Sequence, residues 1–339
     1  MSFKNLKVER IEDQLAITLS KLYPTDKFDL VKIGEKKWFL SDKYVENGDK
    51  IYSFEIRPDD TWIITYPRSG TTLTQELVWL VANDMNFDEA QRRTLIDRFP
   101  YIEFTLLYKH ILFCFSIETM MDSHTISTII SNNEKKNLYK YTVEFVQNQL
   151  SPRFIKSHMP LDLLPTVINS DCKIIYVARN PKDVVISWYN FQKDCKIFQY
   201  QGTFEQFCNN FINDHVNYSP YWEHVKEAWA MRHKANLLFL FYEDLIKDLP
   251  GTIKRVTVFF NKSYSDEQIA KLVEHLKIEN FRKNSMVNQP SPRSTMEPKE
   301  FIRKGKVNNW KELFTPEIEE KFNKWIADNL KDTDLIFPN

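Results

Sequence analysis

The chain has 339 residues, 42% apolar and 27% charged, with 46 Lys and Arg set against 46 Asp and Glu. This balance gives no electrostatic footprint for nucleic acid or for an acidic membrane. Four scattered cysteines (Cys114, Cys172, Cys195, Cys208) with no CxxC pair exclude a zinc knuckle and a redox dithiol.

In chain order, the opening MSFKNLKVER lacks the apolar core of a signal peptide. The greasiest run, FTLLYKHILFCFSI, is short and carries Lys109 and His110. A membrane span is therefore not expected, and a cytoplasmic location is. Residues 1–58 read as an N-terminal extension of short elements packed on a single domain, 1–339. TWIITY (61–66) has the β-branched and aromatic character of a strand. From Thr71, apolar residues at Leu73, Leu77, Leu80 and Val81 mark one helix face. Residues 82–150 are mixed and mostly helical, and 105–150 is long enough for a connector to be expected as a substrate lid. Strand-like runs follow at RFIKSH (153–158), CKIIYVA (172–178) and NLLFLFYE (236–243). Helical patterns alternate with them at 181–191, 219–233 and 251–260, and a last helix falls at 316–330. The alternation predicts an α/β fold: a central parallel sheet flanked by helices, its strands buried on both faces.

The turn TYPRSGTT (65–72) joins the first of these strands to its helix. Small residues there present backbone N–H groups at a helix N-terminus, an anion site. Gly70 permits close approach, Ser69, Thr71 and Thr72 add hydroxyls, and Arg68 can reach an oxyanion. Helix capping alone would also account for Ser and Thr at this place. A nucleoside-triphosphate loop needs glycine, four residues, then Gly-Lys-Ser/Thr. Here the basic residue precedes the glycine, so a nucleotide whose transferred group needs no metal is the better expectation. A second segment, YVARNPKDVVISWYNF (176–191), places Arg179 at a strand end. Asn180 is a fitting N-cap there, Pro181 fits the first helical position, and Asp183 is expected to complete a capping-box-like pair. Ser187 lies two turns into that helix. A third, FIRKGK (301–306), joins two cations and a glycine in a loop, and reads with the others as a second phosphate clamp.

TYPRSGTT, KSHMP, ARNPKDVVISWYNF, LFYEDL and FIRKGKVNNW, in this order, resemble the cytosolic sulfotransferase family over residues 35–335. QELVWL, PYWEHVKEAWAMRH, LFLFYEDLIKDLPG and DNLKDTDL are most similar to its insect, lepidopteran, retinol dehydratase-like branch. The resemblance implies 3′-phosphoadenosine-5′-phosphosulfate (PAPS) as donor, no metal, and a small hydroxyl acceptor. It implies that residues 68–72 hold the 5′-phosphosulfate, and that Arg179, Ser187, Arg303, Lys304 and the Gly305 amide hold the 3′-phosphate. Tyr242, Leu73, Ile278 and Phe281 fall at adenine-side positions. His158 matches the general base, Lys156 the sulfuryl-contacting lysine, and Tyr101 and Phe104 the acceptor site.

The chain departs from the family at several of these positions. Arg68 stands for the usual lysine, and a guanidinium cannot donate a proton to a leaving oxygen. Leu73 and Ile278 stand where aromatics usually stack on adenine, and Asn308 stands for a glycine. Pro316 interrupts the family's dimer motif, so a homodimer remains possible but with the usual dimer motif altered. Strand alternation places Lys156 and His158 on one face. A neutral imidazole there can accept a proton; a buried, hydrogen-bonded histidine is the other reading. The apolar surroundings favour a phenol, flavonoid, sterol or retinoid as acceptor. Three alternatives remain: dehydration through a transient sulfate ester, hydrophobic-hormone binding with weak donor use, and a metal-dependent small-molecule kinase.

Overall fold

The computed structural model describes residues 3–24, 30–103, 138–195, 198–288, 305 and 307–338. Three short strands, β1 (Val8–Arg10), β2 (Leu30–Ile33) and β3 (Trp38–Ser41), form an antiparallel sheet in that order. Four more, β4 (Thr61–Thr65), β5 (Phe154–Ser157), β6 (Lys173–Ala178) and β7 (Leu237–Phe241), form a parallel sheet of order β5-β4-β6-β7.

The parallel strands read as apolar runs because both faces are covered. Trp62 and Ile64 of β4, with Ile174, Tyr176 and Ala178 of β6, enter one core. Their neighbours Ile63, Ile175 and Val177 enter the other. The period of two along a strand thus divides one sequence run between two cores. Helices Thr71–Ala82, Leu249–Phe259 and Asp266–Leu276 cover the second face. Helices Pro181–Asp194, Phe204–Ile212, Tyr221–Ala230 and Pro316–Leu330 cover the first.

The chain steps from β4 outward to β5, then crosses back over β4 to β6. This reversal leaves a crevice at the carboxyl ends of the strands, where ligands bind in open α/β sheets. The opposite end is closed by a buried ion pair: Arg153 donates to both oxygens of Asp60 at 2.7 and 2.5 Å.

The N-terminal segment is more than an appendage. Ile33, Trp38 and Phe39 are fully buried within the core that also holds Trp62 and Tyr176. Phe39 exchanges backbone hydrogen bonds with 218–219, its amide donating to Ser219 and its carbonyl accepting from Tyr218. The antiparallel sheet was not legible from sequence because its strands have three or four residues, too few to establish a period.

Candidate functional site

β4 ends at Thr65, and the next helix starts at Thr71. Between them Arg68 (φ +69°) and Gly70 (φ +96°) are both left-handed. Such alternation gathers successive N–H groups into an anion-binding concavity. At 70 only glycine fits, since a Cβ would run into the Tyr242 ring. Arg68 has no such freedom, and its conformation costs about 1–2 kcal/mol. Two hydrogen bonds hold it there. Arg179 Nη1 donates to the Arg68 carbonyl at 3.0 Å, and Arg68 Nε donates to Ser187 Oγ at 3.0 Å. The Arg68 guanidinium also lies 4.9 Å from the Phe191 ring centre. Ser69 is fully buried, and its hydroxyl has no hydrogen-bond partner among the described residues. An unmet hydroxyl inside a glycine-floored cradle fits a bound oxyanion. Thr72 and Leu73 follow, half-exposed on the first helical turn.

At the end of β6, Arg179 is 8% exposed and lies over the Tyr242 ring at 4.2 Å. Asn180 caps the Pro181–Asp194 helix through the Lys182 amide. The reciprocal half of the expected capping box is absent. The Asn180 amide donates to Glu243 Oε1 at 2.8 Å instead. Asp183 accepts from the amides of Asn308 (2.7 Å) and Trp310 (3.3 Å). The physical reason is that the incoming loop brings unpaired N–H groups to a buried carboxylate, a stronger demand than one helix-end amide. Asp183 therefore fastens the loop after Gly305 to the helix that carries Ser187. Gly305 is left-handed (φ +59°), and a Cβ on it would lie 2.8 Å from Ile278 Cδ1. Ile278 is half-buried, whereas Phe281 is 2% exposed within the core. Phe104, Arg303 and Lys304, and residues 105–137 of the expected lid, lie outside the described residues.

His158 follows β5 by one residue. Its Nδ1 donates to the Thr65 carbonyl at 2.8 Å, with the Thr65 hydroxyl at 3.1 Å. A carbonyl only accepts, so Nδ1 carries the proton and Nε2 keeps its lone pair. Nε2 has no hydrogen-bond partner among the described residues. Burial, then the Lys156 ammonium, holds the imidazole well below its usual pKa of 6.5. Burial likewise lowers Lys156 to about 8, with Arg68 acting in the same direction and Glu103 against it. The Lys156 ammonium lies 4.5 Å from the Tyr101 ring centre, and the His158 ring meets the same ring edge-on at 5.2 Å. The His158 imidazole, the Lys156 ammonium and the Tyr101 ring therefore converge. Tyr101 in turn shares a 2.6 Å hydroxyl hydrogen bond with Tyr218.

Sequence reasoning missed four residues here. The Glu103 carboxylate accepts the His158 amide, and burial pushes it up to about 7. Its one signal was an acid between Ile102 and Phe104. Thr65 was placed in the strand and its turn but given no role at the site. His224 donates from Nε2 to the His158 carbonyl at 3.0 Å, and Tyr221 donates to the Arg179 carbonyl at 2.5 Å. Both lie in PYWEHV, where neither position alone signals chemistry.

Comparison with known proteins gives the family. The sulfotransferase-domain profile matches residues 58–334. Luciferin sulfotransferase of Photinus pyralis is 33% identical over 318 residues, 91% of this chain and 81% of its own. Mouse sulfotransferase 4A1 is 32% identical over 290 residues, 85% of this chain and 86% of its own. Crystal structures of retinol dehydratase, one with retinol and PAP and one with androsterone and PAP, superpose with TM-scores of 0.85 at 34% identity. They cover 98% and 99% of this chain, and 99% of their own. No helix among the described residues is long and apolar enough to cross a membrane. The chain belongs to the sulfotransferase family and is a PAPS-dependent sulfotransferase.

Proposed function

We propose that this enzyme sulfonates a hydrophobic alcohol or phenol, with His158 as general base and the 68–72 turn as the donor's phosphosulfate cradle. PAPS, when bound, supplies the sulfuryl group. Everything else falls to side chains and amides of this chain. The buried Ser69 hydroxyl, the left-handed Gly70 and the N-terminus of the Thr71–Ala82 helix favour an oxyanion. Arg68, Thr71 and Thr72 would hold the same group, with Arg179, Ser187, Arg303, Lys304 and Gly305 at the far phosphate. Leu73, Ile278 and Tyr242 would give the adenine apolar contact, with Phe281 behind them. Lys156 would steady the sulfuryl oxygens. The acceptor hydroxyl would sit against Tyr101, with Phe104 on its other side, in a cytoplasmic enzyme.

One observation carries the reading: His158 is pinned through Nδ1–H, which leaves Nε2 as an unprotonated acceptor beside the half-buried Lys156 ammonium. Such a base contributes ~10²–10⁴-fold. His158→Ala should lose transfer by that factor while calorimetry with 3′-phosphoadenosine-5′-phosphate (PAP) stays near the wild-type affinity. Turnover equal to wild type would end the assignment.

A second reading, dehydration of an allylic alcohol through a transient sulfate ester, is favoured by the retinol dehydratase likeness over nearly the whole chain. A panel of phenols, flavonoids, sterols and retinol with labelled donor separates the two. Retained label in the organic product means sulfonation, and an anhydro product means dehydration.

A further inference from the structure

The first turn of the Tyr221–Ala230 helix touches both halves of the site without meeting any reacting atom. Tyr221 and His224 are three residues apart, so their side chains share one helix face. Tyr221 donates its hydroxyl proton to the carbonyl of Arg179, at the donor side. His224 donates from Nε2 to the carbonyl of His158, at the base. Both side chains are fully buried. We propose that this turn is a brace, with Tyr221 and His224 as positioning residues that set the reach of His158 relative to the donor cradle. The proposal rests on the general-base reading of His158.

The geometry shows why a brace is required. β5 ends at Ser157, so the sheet ladder no longer holds the peptide groups of His158. Glu103 takes the amide and His224 takes the carbonyl. With both groups held, the backbone dihedrals of His158 are fixed, and so is its Cα–Cβ direction. The Thr65 carbonyl then fixes the ring. The brace works only if His224 is the Nε2–H tautomer, and the protein selects that form. The His158 carbonyl only accepts, so Nε2 carries the proton and Nδ1 of the neutral ring is bare, while the Tyr176 hydroxyl, 2.7 Å from Nδ1 and 2.9 Å from the His224 carbonyl, shares its one proton between those two acceptors. Burial lowers His224 to about 4, so the ring stays neutral and the tautomer is unambiguous near pH 7. The two catalytic-side histidines thus carry their protons on opposite nitrogens. Misplacement of a base by about 1 Å is enough for a 10²-fold loss.

The test uses the full chain, PAPS, and the panel acceptor that wild type turns over fastest. Nitrogen NMR of histidine-labelled enzyme, without substrates, should read Nε2–H on His224 and Nδ1–H on His158. His224→Leu should lower kcat about 10²-fold with acceptor KM little changed. His224→Gln, whose amide nitrogen reaches the same place, should recover most of that loss. Tyr176→Phe should fall between them. Tyr221→Phe should act more on PAP affinity than on kcat. An Nδ1–H tautomer on His224, His224→Gln as slow as His224→Leu, or Tyr176→Phe at the wild-type rate overturns the brace. If His224→Leu does not fold, the Gln and Phe variants decide alone. An inactive His158→Ala beside a fully active His224→Leu sinks the brace only, whereas an active His158→Ala sinks the base reading beneath it.

Discussion

With Nδ1–H committed to the Thr65 carbonyl, His158 exchanges protons only at Nε2. Its folded-state pKa lies well below its usual value, so the neutral, basic form persists as pH falls. The acidic limb of kcat/KM is therefore expected below pH 6.5, and a limb at or above that value would contradict the burial argument. Lys156 is displaced in the same direction, to about 8, and loses its cation as pH rises through that value. A basic limb near pH 8 in kcat/KM for the donor should follow, and Lys156→Arg should remove it while leaving the acidic limb in place. The same signs bear on stability. A depressed histidine adds stability above its unfolded value that is lost as pH falls through its folded one. His158 and His224 should both contribute to unfolding in acid. At this scale Arg68, Gly70 and Arg179 could be named from residue type and spacing, and Lys156 and His158 from the family resemblance. Glu103, Tyr221 and His224 could not, because their importance lies in which main-chain atom each meets.

At the scale of elements, the site is an assembly of strand ends joined by side chains that cross between them. Asp183 shows the logic. In sequence it is the third residue of a helix, and local rules assign it to capping. In the fold it holds the amides of Asn308 and Trp310, from a segment 125 residues further along the chain. Asp183→Ala should leave the Pro181–Asp194 helix intact, since Asn180 alone makes the cap. The 307–310 loop would lose two charge-assisted hydrogen bonds, each worth about 1.5–3 kcal/mol. PAP affinity measured by calorimetry should drop by at least 10-fold, with far-UV circular dichroism unchanged. Unaltered PAP affinity would mean that this loop takes no part in the donor site. Asp183→Asn, which keeps an acceptor, should lose less.

For the whole molecule, the two ends of the parallel sheet do different work. The amino end is closed by Asp60 and Arg153, both buried, and the carboxyl end carries the residues of the candidate site. Removing one partner of a buried ion pair leaves an uncompensated charge, a loss of about 3–5 kcal/mol. Asp60→Ala should accordingly lower the melting temperature by several degrees. kcat per folded molecule should stay near wild type, and a large fall in kcat without a melting shift would show that the two ends are coupled. The sequence by itself determined the alternation of strands and helices, the turn after β4 and the cations at strand ends. Hydrophobic period, capping preference and glycine's conformational freedom are local properties, and each is written in a few consecutive residues. Only the tertiary structure decided that β1–β3 share the main core, that Asp183 serves a distant loop, and that His158 is held by Glu103, Thr65 and His224. These facts depend on contacts between residues 55 to 180 positions apart. No short-range pattern encodes which buried polar group will meet which, because that pairing is set by the sheet order and the packing of helices across it.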